Sequence, residues 1–85
     1  MPAMEVVGRV AGFFAQRSVA AIHLTASLRV GETVYINGHT TDMRQLVESL
    51  QLNHQPVQEA GAGQTVGLKV LWRCRTHDTV YKLLT

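Results

Sequence analysis

The chain of 85 residues has a single cysteine, Cys74, so no disulfide can form within it, which fits a reducing compartment. Charged residues make up only 16% and the net charge is +2, far from the composition of a disordered tail or of a strongly basic nucleic-acid binder. No stretch approaches the roughly 20 apolar residues of a membrane span. Glu5, Gly8 and Arg9 interrupt the N-terminal segment, so it does not read as a signal peptide. These absences lead us to expect a cytoplasmic protein without membrane contact. A phosphate-binding loop ending in Gly-Lys-Ser or Gly-Lys-Thr is also missing, so no GTP binding by this chain alone is expected.

Hydrophobic residues reach 46%, enough for one folded domain, which we read as residues 1–85. Short β-type runs separated by turn signals point to an all-β barrel or sandwich. Val6 to Phe14 is a first strand, with Gly8 and Gly12 where a strand bends or meets a close neighbour. Val19 to Ala26 alternates, with Ala20, Ile22 and Leu24 on one face. Thr33 to Ile36 places Val34 and Ile36 inward and Tyr35 outward. Asn37-Gly38 is a turn. Met43 to Asn53 fits either a short helix or a bulged strand, and we read it as the strand, with Gln55-Pro56-Val57 extended beyond it. Thr65 to Arg73 buries Val66, Leu68 and Val70 and turns Lys69, Leu71 and Arg73 outward, with Trp72 continuing the inward phase. Thr79 to Leu84 closes the chain. The expected core is Val10, Ile22, Leu24, Val34, Ile36, Val66, Leu68 and Val70. Gly31 and one of Gly61 or Gly63 are expected at positive φ.

The order Val7-Gly8-Arg9-Val10, Leu28-Arg29-Val30-Gly31-Glu32, Val47-Glu48-Ser49-Leu50 and Ala60-Gly61-Ala62-Gly63 through Val66-Gly67-Leu68 resembles domain 2 of elongation factor Tu. It resembles more closely small stand-alone translation elongation factor-like proteins, over about Val6 to Leu83. A similar barrel also ends some collagenase-like peptidases. The resemblance implies a single closed six-stranded Greek-key β-barrel that binds RNA, tRNA or the ribosome. A protein-interaction module that docks on a partner or self-associates is the alternative.

Chemistry-bearing motifs are sparse. Gly61-Ala62-Gly63 leads into a strand and not a helix, so it offers no phosphate seat. Cys74 and His77 have the spacing of two zinc ligands, but a structural site wants four, and His23, His39 and His54 are scattered. We therefore expect no metal, no cofactor and no catalytic residues. If the first and last strands are neighbours, Arg9, Lys69, Arg73 and Arg75 form a basic RNA-contacting surface, with a merely solvated face as the competing reading.

Overall fold

Period-two alternation sets the architecture, because it turns every second side chain toward one interior. The computed structural model describes residues 3–84; Met1, Pro2 and Thr85 of the expected domain lie outside the described residues. Ten strands follow in order: β1 Met4–Phe14, β2 Val19–Leu24, β3 Leu28–Arg29, β4 Thr33–Asn37, β5 Asp42–Leu46, β6 Leu50–Leu52, β7 Gln55–Val57, β8 Glu59–Ala60, β9 Thr65–Lys69 and β10 Thr79–Leu83. Among the described residues there is no helix, and none is long and apolar enough to cross a membrane.

Eight strands form one antiparallel sheet in the order β5-β4-β10-β1-β2-β9-β6-β7, while β3 and β8 make a separate two-stranded ribbon. The all-β expectation holds. The closed six-stranded barrel does not, because neither sheet closes on itself. The sheet curls instead. β1 carries two register shifts, between Val6 and Gly8 against β10 and between Val10 and Gly12 against β2, and bulges of this kind bend a strand. Where β5 comes round to the far end of β9, a side chain takes the place of a ladder. Gln45 Nε2 donates to the Lys69 carbonyl at 2.8 Å, and Gln45 Oε1 accepts from the Leu71 amide at 2.9 Å.

One core results. Val10, Ile22, Leu24, Val34, Ile36, Val66, Leu68 and Val70 are all buried, joined by Val7, Leu28, Val47, Leu50, Cys74 and Val80. At roughly 1.5 to 3 kcal/mol for each fully buried aliphatic side chain, this cluster is the main source of stability. Trp72 departs from expectation: β9 ends at Lys69, the alternation runs on only through buried Val70 and exposed Leu71, and Trp72 is 65% exposed. Met43 to Asn53 is not helical, but it breaks into β5 and β6 around Val47–Ser49, and Asn53 and His54 turn tightly into β7 with φ of 52° and 64°. Gly31 and Gly63 adopt φ of 99° and 89°, where a Cβ is disfavoured.

Candidate functional site

The outer surface carries two faces of different character. The first lies over β10, β4 and the start of β1. Cross-strand register lines up Val6, Tyr81, Tyr35 and Arg44, with Met4 opposite Leu83 in the next row. Tyr35 and Tyr81 are tilted aromatic neighbours, their ring centroids 5.9 Å apart, and Val6, Met4 and Leu46 are exposed around them. Asn37 donates to the Tyr35 hydroxyl at 2.9 Å, and the hydrogen-bonding carboxylate of Asp42 holds the phenol above its usual pKa. The Leu84 amide donates to the Ala3 carbonyl at 3.0 Å, so both ends of the described chain flank this face.

The second is a groove of about 850 Å³ between the β1–β2 and β6–β7 hairpins. Its floor is Val19, Ala21 and Gly67, its walls Phe13, Phe14 and Arg17 on one side and Asn53 and His54 on the other. The floor is recessed because Ala21 stands between Gly12 and Gly67, and Gly67 faces Gln51. A row of the smallest residues in the middle of an outward face leaves room for something else. Sequence reading missed this groove, and only the register of four strands reveals it.

Of the four predicted basic residues, Arg9 and Lys69 do not stand together. β1 and β10 are neighbours as expected, and Arg9 lies opposite Thr79 and His23. Lys69 sits at the other end of the adjoining strands, opposite Val19. Arg73 and Arg75 stand in the loop after β9, where Arg75 Nε donates to Thr40 Oγ1 at 2.7 Å.

The loop that holds Cys74, His77 and Asp78 is built for structure. Asp78 is buried and accepts from the Arg75 amide at 2.9 Å, while the His77 amide bonds to the Val10 carbonyl and that of Val10 to Asp78. Burial, reinforced by the Asp78 carboxylate, pushes the Cys74 thiol up to about 11. Such a thiol is a poor nucleophile and a poor metal ligand at neutral pH. Among the described residues no three His, Cys, Asp or Glu side chains cluster as a metal site would require.

No protein-family model matches the chain. An uncharacterized protease of Methanocaldococcus jannaschii is 41% identical over 78 residues, which are 91% of this chain and 19% of that protein. The chain thus spans about a fifth of the length of this curated relative. By fold, the C-terminal domain of a Geobacillus thermoleovorans protein described as a U32 peptidase superimposes with a TM-score of 0.86 at 21% identity, covering 92% of this chain and 91% of that one. Its selenomethionine variant gives 0.85 at 20% identity, covering 89% and 96%.

These findings correct the reading as an elongation factor Tu domain 2 relative, and with it the RNA, tRNA or ribosome-binding function. Among the residues that suggested it, Val30-Gly31-Glu32 and Ala60 to Gly63 hold turns with positive φ at Gly31 and Gly63. Small antiparallel β modules with such turns call for the same residues, so turn chemistry alone accounts for these two motifs. The chain is similar in sequence to a segment of an uncharacterized protease and in fold to the C-terminal domain of a protein described as a U32 peptidase.

Proposed function

We propose that the chain is a non-catalytic interaction module of the U32 peptidase type, which docks on the larger body of such a protein through the Val6–Tyr81–Tyr35 face. The observation that carries this reading is the position of that apolar face beside both chain ends, Met4 lying opposite Leu83. In a protein of which the matching segment is only 19%, whatever is joined at either end meets this face first. Aromatic residues with aliphatic neighbours are what a protein interface uses at its centre.

The lack of catalysis is supported by the raised thiol of Cys74 and its burial. The side-chain seam at Gln45 supports the finer reading of the fold as a barrel whose last junction is made without a ladder. The test is reconstitution in trans. The M. jannaschii protease, produced without the segment that matches this chain, should bind the chain on mixing in a titration calorimeter. Val6→Glu and Tyr81→Ser, both at outward positions, should abolish the heat of binding while leaving the melting curve intact. Absence of any complex with the unaltered chain would overturn the proposal.

A further inference from the structure

We infer that the groove between the β1–β2 and β6–β7 hairpins binds an extended segment of a partner protein, aliphatic at its centre and acidic at its flanks. This site lies on a different face from the docking surface above and does not depend on it.

The shape of the groove follows from the strand register. On the outer side of β2 stand Val19, Ala21 and His23, and their neighbours form three rows: Phe14, Val19 and Lys69; Gly12, Ala21 and Gly67; Arg9, His23 and Thr65. The rows span about 13 Å at 3.3 Å per residue, the reach of four or five residues of extended chain. The middle row is a trough because its members have little or no side chain. Phe14, 57% exposed, stands over one end of it. Aliphatic side chains laid into the trough would cover Val19, Ala21 and this ring.

The charge of this face points the same way independently of its shape. The chain has six acidic residues, and none falls in Gly8 to Gly31, Ser49 to Gln58 or Ala60 to His77, the stretches that build the groove and its surroundings. Arg17 lines it, Lys69 stands opposite Val19 at the same end, and Arg9 lies in the far row. A face with bases at both ends and no acid between them attracts carboxylates at the flanks of a ligand and repels basic segments. Gln16, Gln51 and Asn53 in the lining supply side-chain amides that both donate to and accept from peptide groups. A nucleic acid fits less well: Arg17 is the one permanently charged side chain in the lining, and the floor is apolar.

The experiment measures fluorescence anisotropy of a labelled, end-capped peptide with three central leucines flanked on each side by two glutamates. Controls replace the glutamates with lysines or the leucines with serines, and oligouridylate serves as a polyanion without aliphatic groups. The acidic leucine peptide should bind roughly tenfold or more tighter than each control. Arg17→Glu, in an exposed turn, and Ala21→Glu, on the floor, should each weaken it by about tenfold or more. Val6→Glu on the other face should leave it unchanged, which keeps this result separate from that of the docking test. Equal binding of the lysine or serine peptide, oligouridylate binding as tightly as the peptide, or an Arg17→Glu protein with intact melting and undiminished affinity would overturn the inference.

Discussion

The side chain of Gln45 on β5 accepts the Leu71 amide at 2.9 Å and donates to the Lys69 carbonyl at 2.8 Å, doing with one amide what a strand pair does elsewhere. Gln45→Met keeps the length and removes both bonds, leaving an amide and a carbonyl unpaired. The variant should lose about 1 to 3 kcal/mol in urea denaturation, and the Leu71 amide should exchange faster. Unchanged stability would show that the seam contributes nothing.

Leu68 is fully buried and lies opposite Ala20 on β2 and Leu50 on β6. Leu68→Ala should cost about 2 to 5 kcal/mol, as should Ile36→Ala on β4. A variant that melts with the parent would remove its strand from the core.

Gly38 approaches the buried Asp78 so closely that a Cβ would collide with the carboxylate. Gly63 has open space around it and only the cost of its positive φ, about 1 to 2 kcal/mol for an added Cβ. Gly38→Ala should therefore destabilise more than Gly63→Ala in matched thermal melts. Adding Asp78→Ala to Gly38→Ala should give a loss smaller than the sum of the two.

The Cys74 thiol, raised from 9.0 to about 11, titrates later in the folded than in the unfolded chain. Its contribution is complete below pH 9, where both states are protonated. It is lost as pH rises from about 9 to 11, because the unfolded thiol ionises first. The full difference is on the order of 2 to 3 kcal/mol. Alkaline denaturation of Cys74→Ala should lack this component, and the parent thiol should react slowly with disulfide reagents at neutral pH.

Strand content and core were legible because alternation alone assigns Ile22, Leu24, Val34, Ile36, Val66 and Leu68 to one side. Trp72 misled because alternation says nothing of where a strand stops, and β9 stops three residues earlier. The Leu28–Arg29 and Glu59–Ala60 ribbon is too short to leave a period. Groove and seam were invisible for a different reason: Ala21, Gly67 and Gln45 are ordinary in sequence and acquire meaning only from partners on other strands, most of them distant in the chain. Arg9 and Lys69 stand apart because proximity of strands does not bring residues at opposite ends of those strands together.

The pairing of Met4 with Leu83, Val6 with Tyr81 and Arg9 with Thr79 has a mechanical side. Force applied between the two chain ends acts across this antiparallel ladder and not along it, so its hydrogen bonds are loaded one after another from the open end. The rungs part like a zip, starting at Met4 and Leu83, and each breaks before the next bears load. Tension on the ends would therefore peel β10 from β1 at low force, while the interior around Ile22 and Leu68 stays out of the line of pull until those two strands have come apart.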